Sequence, residues 1–156
     1  MKRASVVWLV LIQFVLAFEW LHSGWGKWAG PGFMDSISKT LEGFATKTPY
    51  KAYGAFLNST AVTNADMFGN AIRLGEMGVG IALVISGVLL LTKKRLPSWA
   101  VALMVVAFLG GALMNLNFFM ASGWSSPSTW GVNMVMGFIH LIFAIYYFTN
   151  RRELSS

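Results

Sequence analysis

The sequence predicts an all-α membrane protein: a bundle of four transmembrane helices with a long extracytoplasmic loop carrying short amphipathic helices. Three observations lead there. Four apolar stretches, about 5–22, 71–92, 98–122 and 130–149, each come close to the ~20 residues that a helix needs to cross a bilayer. Apolar residues make up 56% of the chain and charged residues only 12%, where a soluble domain carries about a quarter charged residues. The basic clusters Lys2-Arg3, Lys93-Lys94-Arg95 and Arg151-Arg152 all fall on one side if the chain crosses four times. This is the positive-inside pattern, and it puts both termini in the cytoplasm. Residues 1–156 then form a single membrane domain. The formal charge of +6 is topological in origin, so a nucleic-acid partner is not expected. Membrane lipids are.

The first stretch also has the basic start and apolar core of a signal peptide. Gln13 and Glu19 interrupt it without a small-x-small cleavage site, so it is read as a retained helix. Residues 23–70 form the only long polar segment, the outer loop. Within it Met34, Ile37, Leu41 and Phe44 recur at helical spacing, and Tyr50, Tyr53, Phe56 and Leu57 repeat the pattern behind Pro49. Such spacing predicts amphipathic helices lying over the mouth of the bundle as a lid. Trp20, Trp25, Trp28, Trp124 and Trp130 gather at the outer ends of spans and Trp8 and Trp99 at inner ends, as aromatic belts do. Asn58-Ser59-Thr60 is a sequon in the outer loop.

The second span opens on charge. Arg73 and Glu76 stand in its first outer turns, and ionisable groups inside hydrocarbon mark functional sites by default. With each helical residue advancing about 1.5 Å, Glu19 and His22 of the first span and Asn115, Asn117 and Ser122 of the third reach the same outer layer. On the second span Arg73, Glu76, Gly80, Leu83 and Gly87 share one stripe, opposite the small residues Gly78, Ala82 and Ser86. Two readings of this layer stand side by side. Glu76 is a buried carboxylate that exchanges protons beside a quinone, or it is half of a structural ion pair, with Arg73 joined to Glu76 or to Glu19.

Other chemistries find little support. The chain has no cysteine, which removes disulfides and thiolate metal ligands. His140 lies some ten residues into the fourth span, roughly 15 Å deeper than His22, so one chain offers no level histidine pair for a haem. No metal or haem is expected in this chain alone. The spans show no inverted repeat or broken-helix pair of a transporter.

"GWGKW" after the first span, then "PGF", "TPYKAYGAFLNSTAVTNADMF", "GEMGVGIALVISGVLL" and "NLNFFMASGWSSP", resemble in order the DoxX/DoxD family. These are four-helix membrane proteins that include the DoxD subunit of thiosulfate:quinone oxidoreductase. The family pattern maps onto Gly24, Lys27, Glu76, Gly80 and Asn117. In the first span Gln13 and Glu19 stand where the family often has an early arginine, and the tail lacks the family's "GLDR"-like ending.

The resemblance implies a quinone-linked redox role in a prokaryotic inner or plasma membrane, with a partner outside the bilayer handling the sulfur compound. On that reading Glu76 and Arg73 are the catalytic candidates, and Glu19, His22, Asn115 and Asn117 hold the quinone. The alternative from another class is a non-catalytic subunit that packs against and stabilises a larger respiratory or photosynthetic complex.

Overall fold

The computed structural model describes residues 3–93 and 95–155. Four long helices cross the molecule: α1 (Arg3–Ala29), α4 (Ala65–Thr92), α5 (Ser98–Ser122) and α6 (Pro127–Thr149). All four are long and apolar enough to span a membrane. At about 1.5 Å per residue even α6, with 23 residues, reaches past a hydrocarbon layer of about 30 Å. The four passes place both ends of the chain on one face, the terminal end. The 30–64 segment lies at the other, the lid end.

Two of the long helices exceed the stretches read from hydropathy by more than a turn. α1 runs on to Ala29 rather than stopping near residue 22, and α4 begins at Ala65 rather than 71. Polar residues and glycines hid these turns. In α1 Gly24 serves packing: a Cβ there would sit 3.0 Å from the Met77 side chain of α4. In α4, Asp66 occupies the first turn, where a negative charge meets the positive end of the helix dipole.

α1 ends at Gly30-Pro31-Gly32, and Gly32, at φ 84°, takes the left-handed conformation that spares glycine any steric cost. The chain then forms α2 (Phe33–Lys47), α3 (Lys51–Phe56) and a wider π-type turn over Leu57–Ala61. α2 is amphipathic as its spacing predicts, with Ile37 and Leu41 buried. In the second half of the lid Leu57 is buried while Tyr50 and Phe56 are exposed. The lid has its own small core, Ile37, Leu41, Leu57 and Ala61, packed against Phe68 and Ile72 of α4. The Thr48 hydroxyl donates to the Met120 carbonyl of α5 at 2.7 Å and pins the α2–α3 corner to the bundle. After a 3₁₀ turn at Gly123–Ser125, α6 starts on Pro127, and the Ser126 side chain caps it by accepting from the Thr129 N–H at 3.0 Å. A short α7 (Arg151–Ser155) closes the terminal end.

α4 packs closely on α1, and Gly80 and Gly87 meet Leu21 and Phe14 there. The small-residue stripe of α4 is split: Ala82 and Ser86 are buried, whereas Gly78 is exposed. α5 and α6 form the second close pair. Gly111 is required at their crossing, because a Cβ there would lie 2.3 Å from the His140 ring. Among the described residues, no buried side-chain nitrogen or oxygen lacks a hydrogen bond. In hydrocarbon an unsatisfied group costs several kcal/mol.

Candidate functional site

Three polar clusters tie the helices together, and Glu76 stands in the first. It is 1% exposed, and the ammonium of Lys27 donates to both of its oxygens, at 2.8 and 2.7 Å. The third ammonium hydrogen goes to the Ser23 hydroxyl at 2.7 Å, so the donor capacity of the lysine is filled. The Phe33 ring at the start of α2 covers the ammonium at 5.9 Å. The contact exists because α1 continues two turns past His22 and carries Lys27 over α4. Among the described residues this is the one salt bridge.

The ion pair therefore forms with a different cation from those weighed on sequence. Arg73 lies on the same helix but turns away from Glu76. Its Nε and Nη2 donate to Asn70 Oδ1, and its guanidinium stacks 4.1 Å over the Trp28 ring. Its aliphatic length and planar head are thus held by an amide and an indole, a cation–π arrangement. Lys27 was within reach of sequence only through the family resemblance, since hydropathy ended the first span before it.

The second cluster lies at the crossing of α1 with α6. Trp20 is buried and donates from Nε1 to His140 Nε2 at 2.8 Å. An indole N–H can only donate, so Nε2 accepts and the ring proton sits on Nδ1, 2.7 Å from the Met136 carbonyl. This corrects the placement of Trp20 in an interfacial belt: its polar edge is spent on His140. Trp8, Trp25, Trp28, Trp99, Trp124 and Trp130 are exposed.

The third cluster centres on Gln13, which is fully buried. Its amide N–H groups donate to the Leu83 carbonyl and the Ser86 hydroxyl at 2.7 and 2.8 Å, and its carbonyl accepts from the Tyr147 hydroxyl at 3.1 Å. One side chain joins three helices.

The remaining candidates separate. Glu19 and His22 are exposed on the outer face of α1, where the His22 ring stacks on Phe18 at 5.7 Å. Asn115 is buried towards α6 and donates to the Gly111 carbonyl at 2.9 Å. Asn117, on the other side of α5, accepts from the Tyr53 hydroxyl at 3.2 Å.

Tyr53 and Asn117 flank a slot of about 250 Å³ between the lid, α4 and α5. Its walls are otherwise apolar or aromatic, among them Phe44, Phe56, Phe68, Met114 and Phe118. Burial pushes the Tyr53 hydroxyl above its ordinary pKa. Sequence reasoning identified Asn117 and the lid but not this slot, because Tyr53 counted there as part of an apolar face. Among the described residues no three His, Asp or Glu side chains converge as metal ligands would. Comparison with protein-family models, curated proteins and solved structures returns no match.

Proposed function

We propose that the chain is a quinone-linked membrane redox subunit of the kind the DoxX/DoxD resemblance implies, with the quinone ring seated in the slot beneath the lid. The observation that carries this reading is the composition of the slot: aromatic walls with one hydroxyl and one amide at its edge. A quinone head group needs a flat apolar space and a hydrogen-bond donor for its carbonyl oxygen. At about 250 Å³ the space lies just below the ~300 Å³ lower end of small-molecule sites, a size suited to one substituted ring with its tail left in lipid. Bound there, a quinone would supply a two-electron, two-proton acceptor. The part of this chain is to orient the ring: Tyr53 turns its hydroxyl from Asn117 to the ligand oxygen, and the lid excludes water. Electrons come from a partner protein that holds the donor. Lys27 and Glu76 brace α1 against α4 and neither lines the slot, which favours the structural reading of Glu76 over the proton-exchanging one.

The test is quinone content. Protein purified in mild detergent should carry extractable quinone, which Asn117→Leu with Tyr53→Phe should lower about tenfold, the loss of one to two hydrogen bonds of about 1 kcal/mol each. Equal quinone in both proteins would refute the assignment.

A second reading, the accessory subunit, draws on a separate observation. Glu19 and His22 sit on the exposed face of a membrane-spanning helix, where an ionisable group is expensive unless something covers it. A neighbouring subunit with a donor at that level would do so. Glu19→Leu should then release the chain from co-purifying partners while leaving its quinone content unchanged.

A further inference from the structure

The terminal end of the bundle holds a groove remote from the lid. It lies between the start of α5 and the end of α6, has a volume of about 440 Å³, and is walled by Val101, Val105, Val106 and Phe148 with Arg151 and Arg152 at its rim. It opens to the outside of the bundle: Val106 is 66% and Phe148 55% exposed. The rim is held in place. Arg151 donates to the Phe148 carbonyl at 2.7 Å and its guanidinium lies 4.3 Å over the Phe148 ring. α7, which carries both arginines, is tied to the α4–α5 connection by the Leu96 N–H donating to the Leu154 carbonyl at 2.8 Å. Among the described residues neither guanidinium is paired with a carboxylate. Glu153, the acidic residue of α7, does not line the groove.

An apolar trough continuing along a membrane-spanning helix, with two cations at the level where that helix ends, one of them held on Phe148, matches a molecule with fatty chains and an anionic head. We infer that the groove binds an anionic phospholipid, its phosphate held between Arg151 and Arg152 and one acyl chain lying along Val101, Val105 and Val106. The charge distribution of the whole chain favours the same ligand. Seven of the twelve basic residues flank the terminal ends of the spans in sequence, with Glu153 as the single acidic residue among them. Basic pockets between membrane helices collect anionic head groups in this way, and an arginine fork meets phosphate oxygens in matching geometry. A phosphatidylcholine of the same chain length offers the wall the same contacts, but its own cation stands beside the phosphate and weakens the rim interaction.

Native mass spectrometry of the full-length protein, titrated with phosphatidylglycerol or phosphatidylcholine of identical chains, tests the inference. Phosphatidylglycerol should be retained in preference. The double variant Arg151→Gln, Arg152→Gln should weaken that retention roughly thirtyfold, since each basic residue near a lipid head group contributes about a factor of five. Lysine at both positions should keep most of it. Val105→Trp, which fills the wall and leaves the charges untouched, should also lose it. Equal retention of the two lipids, or undiminished phosphatidylglycerol retention in the glutamine variant, overturns the site. Undiminished retention in Val105→Trp shows that surface charge alone attracts the lipid, and overturns it equally.

Discussion

Lys27 and Glu76 illustrate how much a single side chain can decide in a low-dielectric setting. Replacing Lys27 by Met leaves a carboxylate that is 1% exposed without its cation. Breaking a buried pair from one side costs about 3–5 kcal/mol, so Lys27→Met should lower the unfolding midpoint in detergent sharply. Lys27→Met combined with Glu76→Leu should recover much of the loss, because no charge is then stranded. Gly111→Ala is a second sensitive position. The added methyl would meet the His140 ring at 2.3 Å, and overpacking of this kind costs about 1–3 kcal/mol, measurable as a lower midpoint that Gly110→Ala, with only Val79 at 3.7 Å, should not share. Tyr53 adds a pH dependence. Its folded pKa is raised above the ordinary value of about 10 by burial, so its contribution to lid stability is present below pH ~10 and is lost as pH rises through the raised value. Tyrosinate absorbance during alkaline titration should show one late-ionising group fewer in Tyr53→Phe. Residue identities of this kind were partly legible. Glu76 stood out as a charge in an apolar run, whereas Tyr53 looked like one more apolar anchor and its hydroxyl carried no signal.

At the scale of elements, hydropathy located all four spans, because each is an apolar run of the right length, but it misplaced two of their ends by more than a turn. The last turns of α1 contain Ser23, Gly24, Gly26 and Lys27, residue types that lower mean hydropathy, yet Gly24 and Lys27 among them meet Met77 and Glu76 of α4. The lid was legible as amphipathic helix, since Ile37 and Leu41 keep helical spacing and are buried together. Its anchorage was not, because a Thr48 hydroxyl reaching the Met120 carbonyl joins residues 72 positions apart. Thr48→Val keeps the shape and removes that hydrogen bond, a loss of about 1 kcal/mol. The expected result is faster proteolysis within residues 30–64 of reconstituted protein, with the four spanning helices protected as before.

For the whole molecule, sequence predicts that polar side chains from several crossings share one depth, and the structure adds their direction around each helix. Depth follows from the helical rise alone. Direction depends on neighbours: Asn115 and Asn117 differ by about 200° around α5, so one faces α6 and the other the lid. Glu19 and His22 share the outer half of α1 with Lys27 yet face away from the bundle. What sequence presents as a single layer is thus a brace at Lys27 and Glu76, a slot at Tyr53 and Asn117, and an exposed pair on α1. The slot is the part on which the functional account depends. Its most direct test is light-induced cross-linking of the membrane-embedded protein with a photoreactive quinone analogue carrying the reactive group on its ring, mapped by peptide mass spectrometry. Adducts are expected on the slot residues Phe56, Phe68, Met114 and Phe118, suppressed by excess natural quinone. Adducts confined to the outward face of α1 or α6, or spread evenly over lipid-facing residues and indifferent to competitor, would contradict the quinone assignment.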